Sequence, residues 1–375
     1  MIRPKFFIDT LNSCGIDFYA GVPDSLLKSI CAYLSDTADE NHNIITANEG
    51  GAIGLAAGYH LATGNIGCVY MQNSGEGNII NPLASLMDKD VYNIPVLLLI
   101  GWRGQPGVHD EPQHVKQGQI TTALLDTLGI SYAILSKDEN AARKQIIEAV
   151  DRMNMTKEAY ALIIEKNTFD NYTLRNAKKN EMTMSREMAI QQVADSLDES
   201  DVIVSTTGMI SRELFEYRIA RNEGHERDFL TVGSMGYASQ IALGIALMKP
   251  DRRVWCFDGD GAAIMHMGGM AIIANKAPKN YIHLIFNNGA HDSVGGQPTV
   301  GFCIDFPGIA KALGYKNAIS VDNIEKLVEI LNKIKILEGP TIVEVKVRRG
   351  NRDNLGRPTT TPIENKEALM SFLKG

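Results

Sequence analysis

What the 375 residues have little of narrows the field first. Apolar runs such as Val96-Leu97-Leu98-Leu99-Ile100 stop far short of the ~20 residues that a bilayer crossing needs, and the N-terminus lacks a charged-then-apolar signal pattern. A membrane or secreted protein is therefore not expected. Cysteine is scarce and scattered (Cys14, Cys31, Cys68, Cys256, Cys303), with no CxxC pair and no histidine close by in sequence. That excludes a disulfide framework, gives no zinc pattern, and suits reduced thiols in a cytoplasmic protein. Basic clusters are also wanting: the densest is Lys346-Val347-Arg348-Arg349, in a chain of formal net charge -7, so no nucleic-acid partner is expected.

What is present begins with 44% hydrophobic residues, enough for two domains at ~150 residues each, and with a pattern that occurs twice. In the first half Phe18-Tyr19-Ala20-Gly21 precedes Asn48-Glu49-Gly50-Gly51-Ala52, and the strand-like Cys68-Val69-Tyr70-Met71 runs into Gln72-Asn73-Ser74-Gly75-Glu76-Gly77. In the second half Val202 to Gly208 is followed by Gly233-Ser234-Met235-Gly236, and Arg253-Val254-Trp255-Cys256-Phe257 runs into Asp258-Gly259-Asp260-Gly261. The separations are 187 positions from Gly21 to Gly208, 186 from Gly58 to Gly244 and 184 from Gly77 to Gly261. So steady a register predicts a duplication.

Each half alternates short β-branched runs with Ala/Gly-rich or amphipathic stretches, which predicts an α/β fold of two similar domains. Each is a mostly parallel sheet with helices on both faces. We expect a first domain over residues 1–170, a polar linker over 171–183 that includes Asn171, Arg175, Asn176, Lys178, Lys179 and Asn180, and a second domain over 184–375. Helices are expected to begin near Leu26 and near Ala262. Both glycine clusters fall where strand ends meet helix starts, the place where such sheets bind ligands.

One motif carries chemistry. Gly259-Asp260-Gly261, then 25 residues, then Asn287-Asn288-Gly289, places an acid and an amide after two strand-like runs. Mg²⁺ takes such oxygen ligands and commonly completes its octahedron with phosphate oxygens. The glycines let the backbone approach a diphosphate, and a helix start offers it free N–H groups. Taken alone, an Asp-Gly turn is only a turn.

With that spacing the chain resembles the thiamine-diphosphate-dependent decarboxylase superfamily. The resemblance implies thiamine diphosphate and Mg²⁺ as cofactors. It puts Asp260, Asn288 and the carbonyl of Ala290 on the metal, Gly208, Gly261 and Ala262 on the diphosphate, and the Gly233 carbonyl on the 4′-amino group. Met235 matches the apolar residue that bends the cofactor, and Glu49 the glutamate that hydrogen-bonds N1′ of the aminopyrimidine. Without the resemblance, Glu49 reads first as a first-turn acid on a helix dipole and Met235 as a core residue. A partly buried, protonated Glu49 would favour the imino tautomer that generates the ylide, which attacks the ketone of a 2-oxo acid, releases CO₂ and yields an aldehyde.

The chain has no room for the middle domain of the larger superfamily members. Gly21-Val22-Pro23-Asp24-Ser25, Gln72 to Asn78, Asp110 to Gly118 and Asn287 to Thr299 look like the short phosphonopyruvate decarboxylases, related to the sulfopyruvate decarboxylases. The implied substrate is 3-phosphonopyruvate, the product phosphonoacetaldehyde, and the setting phosphonate biosynthesis by way of 2-aminoethylphosphonate. Asp24, Ser25, Gln72, Asn73, His114 and Lys116 are the substrate-binding candidates. Arg103, His109 and His291 are further cationic partners for a phosphonate. Asp24 and Ser25 read equally as a turn. His114 or His291 is the candidate donor of the proton that replaces CO₂.

The resemblance also implies a homo-oligomer in which Glu49 and Asp260 of one site come from different chains. Three other readings remain open at this point: a sulfopyruvate decarboxylase, a non-catalytic thiamine-diphosphate-binding protein, and a dinucleotide oxidoreductase. The last is weakened by the absence of GxGxxG in either cluster.

Overall fold

The structure is a computed structural model of the chain and describes residues 1–176 and 180–375; residues 177–179 of the expected linker lie outside the described residues. Two compact units result, Met1–Ala177 with Ser293–Gln297, and Lys178–Asp292 with Pro298–Gly375. In the first, helices α1 (Pro4–Ser13), α2 (Lys28–Thr37), α3 (Glu49–Thr63), α4 (Glu76–Pro82), α5 (Pro112–Thr127) and α6 (Glu139–Thr156) alternate with strands β1 (Tyr19–Gly21), β2 (Asn43–Ile45), β3 (Gly67–Gln72), β4 (Val96–Gly101), β5 (Ser131–Ile134) and β6 (Tyr160–Ile164). The strands form one parallel sheet in the order β2-β1-β3-β4-β6-β5.

Alternation along the central strands explains why both faces are covered. Cys68, Tyr70, Leu97 and Leu99 join α1, α2 and α6 in one core. Val69, Met71, Val96, Leu98 and Ile100 join α3 and α5 in another. Each fully buried leucine contributes about 1.5–3 kcal/mol relative to exposure, so these strands anchor whatever their ends carry. Residues 172–176 lie along α2: the Tyr172 hydroxyl and the Arg175 and Asn176 amides all donate to Asp36.

The second unit repeats the plan. Its sheet strands are β7 (Val202–Ser205), β8 (Asp228–Leu230), β9 (Val254–Gly259), β10 (Tyr281–Asn287), β13 (Asn317–Val321) and β14 (Thr341–Lys346); between β10 and β13 the chain also forms the two-residue strands β11 (Ala290–His291) and β12 (Gln297–Pro298). Its helices are α7 (Arg186–Ser196), α8 (Met209–Ala220), α9 (Ala238–Met248), α10 (Asp260–Met265), α11 (Gly268–Lys276), α12 (Phe306–Leu313), α13 (Ile324–Ile334) and α14 (Pro362–Lys374). The six-stranded sheet runs β8-β7-β9-β10-β14-β13, all parallel. Taking β7 as the counterpart of β1, this is the strand order of the first unit. Faces built on α7, α8 and α13, and on α9, α11 and α12, enclose it.

Two helix starts differ from expectation. The helix expected near Leu26 begins at Lys28, because the Asp24 carboxylate accepts from the Leu26 and Leu27 amides and holds them in a turn. The helix expected near Ala262 begins at Asp260, directly at the end of β9.

Candidate active site

Past the carboxyl end of β2 in the first unit, against the turn that follows β3, Glu49 opens α3 with Asn48 as its N-cap, whose side chain accepts from the Gly51 amide. Glu49 is buried, and Asn78 Nδ2 donates to its Oε2 at 2.6 Å. Gly75, at the end of the turn after β3, lies flat against the carboxylate: a Cβ there would stand 2.4 Å from Glu49 Oε1. No residue larger than glycine leaves Glu49 in place.

Beside it lies a polar network. Asn73, fully buried, donates to the Arg103 carbonyl at 2.8 Å and to Thr121 Oγ1 at 2.9 Å, and accepts from the Arg103 amide. The Arg103 guanidinium is bidentate on Asp110, at 2.7 and 2.5 Å, and its Nη1 donates to Ser25 Oγ at 2.7 Å. Asp24 is fully buried behind Gly101, and burial pushes its carboxyl upward despite the amides of Leu26 and Leu27. Of the expected substrate residues, then, Asp24 and Asn73 have their polar atoms engaged by protein, and Ser25 sits on Arg103. Gln72 donates to Ser74. His114 is buried on α5, Lys116 is exposed on it, and His109 is exposed in the loop before it.

Glu76 opens α4 and was not singled out by the sequence. It is 3% exposed with neither carboxyl oxygen hydrogen-bonded, the nearby Thr121 hydroxyl being committed to the Gln117 carbonyl. Desolvation pushes its carboxyl up to about 8.

In the second unit Asp260 is buried at the end of β9, and desolvation pushes it up to about 6 even though the Thr299 hydroxyl donates to its Oδ2. Gly301 closes over it, where a Cβ would meet Asp260 Oδ2 at 2.4 Å and Asn287 Oδ1 at 2.6 Å. Asn287 and Asn288 diverge as neighbours on a strand end must. Asn287 Nδ2 donates to the Gly301 carbonyl and to Glu344 Oε1, both at 2.7 Å. Asn288 Nδ2 donates to Asp292 Oδ2 at 2.6 Å, and its Oδ1 accepts from the Ala290 amide at 3.0 Å. Asp292 is itself held by Arg186 and the Gly350 amide.

The backbone of this unit bends toward the same strand ends. Gly208 (φ +97°), Gly233 (φ +71°) and Gly236 (φ +89°) adopt left-handed conformations that a side chain would strain, as does Ser234. Met235 Cε and His291 Cε1 lie 3.5 and 2.9 Å from the position of a Cβ on Gly261. His291 is half-buried, and desolvation pushes it down to about 4 against the opposing charge of Asp292. Asp260, Gly261, Met235, Asn288, Ala290 and His291 thus belong to one unit and one set of loops.

The donor set fits a diphosphate and a hard cation. A buried carboxylate, an amide oxygen and a backbone carbonyl are oxygen ligands of the kind Mg²⁺ takes. Thr206 Oγ1, just past the end of β7, is buried with no hydrogen-bond partner among the described residues, as expected of a group that meets a ligand. Sequence reasoning did not pick out Asn78, Thr299 and Asp292 as supports of Glu49, Asp260 and Asn288, because each acts across a loop.

Known proteins match both units. A family described as thiamine pyrophosphate enzyme, N-terminal TPP binding domain, matches residues 4–126, and thiamine pyrophosphate enzyme, C-terminal TPP binding domain, matches residues 206–345. The chain is 32% identical over 389 residues to the phosphonopyruvate decarboxylase of Streptomyces viridochromogenes (100% of this chain, 95% of that protein). It is 33% identical over 388 residues to that of Streptomyces hygroscopicus (99% and 94%). It is 28% identical over 390 residues to the sulfopyruvate decarboxylase of Methanosarcina acetivorans (97% and 95%).

Proposed function

The chain belongs to the thiamine pyrophosphate enzyme family, and on that premise we propose that it is a decarboxylase that converts 3-phosphonopyruvate and a proton into phosphonoacetaldehyde and CO₂. The full-length likeness to two phosphonopyruvate decarboxylases, greater than that to the sulfopyruvate decarboxylase, carries the substrate reading.

Bound to this chain, thiamine diphosphate supplies a nucleophilic carbon and an electron sink. Asp260, the Asn288 amide oxygen and the Ala290 carbonyl hold Mg²⁺, with Thr299 and Asp292 fixing the first two. Gly208, Gly261 and Ala262 would offer backbone N–H groups to its diphosphate, the Gly233 carbonyl would accept from its amino group, and Met235 would pack against it. Glu49 holds a proton against N1′, and Asn78 fixes its carboxylate in that orientation. Ser25, Gln72, His114 and Lys116, joined by Arg103, meet the anionic substrate; Asp24 and Asn73 hold the loops that present them. His114 or His291 gives the proton that takes the place of CO₂.

The enzyme is a homo-oligomer whose active sites are shared between chains. Supporting this, α3 exposes Gly54, Gly58, Leu55 (38%) and Leu61 (76%), and α9 exposes Gly244, Leu247 (40%) and Met248 (74%), faces on which another helix can approach closely. No helix among the described residues is long and apolar enough to cross a membrane, and the free cysteines suit the cytoplasm. The test is CO₂ release from phosphonopyruvate, sulfopyruvate and pyruvate, with and without thiamine diphosphate and Mg²⁺. Fastest cofactor-dependent release from phosphonopyruvate is expected; preference for sulfopyruvate overturns the substrate, and no release from any of them overturns the activity.

A further inference from the structure

The scattered cysteines gave no zinc pattern in sequence, yet the second sheet assembles donors that sequence spacing hides. Cys256 and Asp258 share one face of β9, and His283 stands beside Cys256 on β10 in direct register. Their ligand atoms all lie within 4.8 Å of one another, at 0%, 0% and 1% exposure, beneath α9, α11 and α12.

Two features of this cluster call for a cation. Asp258 is a fully buried carboxylate whose partners are its neighbour's amide, Gly259 N at 3.2 Å, and His283 Nε2 at 3.4 Å; no lysine or arginine among the described residues pairs with it. Buried carboxylates are otherwise paired or metal-bound. The 3.4 Å separation is long beside the ~2.7–2.9 Å of a charge-assisted hydrogen bond. It matches the edge of about 3.3 Å between oxygen and nitrogen ligands, each about 2.0–2.1 Å from a tetrahedral ion.

We propose that Cys256, Asp258 and His283 contribute three ligands to a buried site for a divalent transition-metal ion, Zn²⁺ by preference, separate from the Mg²⁺ of the active site. A thiolate, a carboxylate and an imidazole around a doubly charged cation sum to zero charge, the condition a dry core demands of any ionic group. Sulfur and nitrogen donors select Zn²⁺ over Mg²⁺. Asp258 Oδ1 accepts from the Gly259 amide, so the ion ties β9 to β10 just ahead of the turn that carries Asp260.

The test uses the full-length protein and does not depend on its reaction. Metal analysis after exhaustive dialysis against a weak chelator, without thiamine diphosphate or Mg²⁺, should find stoichiometric Zn²⁺. Cobalt substituted for it should give a sulfur-to-cobalt charge-transfer absorption. Cys256→Ser should abolish that absorption, and His283→Gln should weaken metal retention at least tenfold. Loss of the absorption in Cys256→Ser with retained phosphonopyruvate turnover would leave both readings standing. A metal-free folded protein that takes up no cobalt at sulfur overturns the site, as does full retention in Cys256→Ser. If either variant fails to fold, metal content and cobalt absorption of the unaltered chain decide the question.

Discussion

The two units share one strand order yet present ligands by different means. At the strand ends of the first, side chains hold one another: Glu49 is held by Asn78, and Arg103 by Asp110 and Asn73. At those of the second the backbone itself bends, with Gly208, Gly233, Ser234, Gly236 and Gly289 all at positive φ. A duplicated sheet fixes where a site lies, whereas its loops decide whether backbone or side chains do the binding. A polyanion is well met by converging N–H groups, and a heterocycle with one basic nitrogen by a single carboxylate.

That contrast predicts separable failures. Glu49→Gln should lower kcat by roughly 10³-fold while leaving thiamine diphosphate affinity within a few-fold, measured by turnover and by quenching of tryptophan fluorescence. Equal loss of binding and turnover would erase the division of labour. Asp260→Ala should do the reverse, raising the Mg²⁺ and cofactor concentrations needed for half-saturation by roughly 10–100-fold, with activity partly recovered at high cofactor.

The smallest effect tests stability in the first unit. Glu76 has an ordinary carboxyl value of 4.5 and is pushed up to about 8 in the folded chain. Below about pH 4.5 both states hold the proton and burial costs nothing through this linkage. Between there and pH 8 only the unfolded chain gives the proton up, so stability falls as pH rises; above pH 8 the loss levels off. Glu76→Gln should therefore be more stable than the parent by an amount that grows from pH 5 to pH 8, reaching roughly 3–5 kcal/mol at most. A difference in melting temperature that does not change with pH would show that Glu76 ionises freely.

How much of this was legible in sequence follows from distance along the chain. Steady spacing between glycines anticipated two units of like order, and strand runs ending in glycine put Glu49, Asp260 and Asn288 at strand or helix ends. Asn287 and Asn288 looked like one amide pair, but strand alternation sends Asn287 into scaffold bonds with Gly301 and Glu344. Contacts set by sheet register and loop closure carried no local signal: Asn78 on Glu49 from another helix, Thr299 on Asp260 from 39 residues away, and His283 opposite Cys256. Polar residues expected at the substrate, Asp24 and Asn73, looked in sequence like any exposed loop residue. Their burial depends on Gly101 and α5 closing over them.

The most direct test of the two half-sites is complementation. At limiting Mg²⁺ and cofactor, where Glu49→Gln and Asp260→Ala chains are each nearly inactive alone, mixing and reassembling them should recover roughly a quarter of parental activity, because hybrid dimers contain one intact site. No recovery, with hybrids demonstrably formed, would contradict the account: Glu49 and Asp260 of one site would then have to come from the same chain.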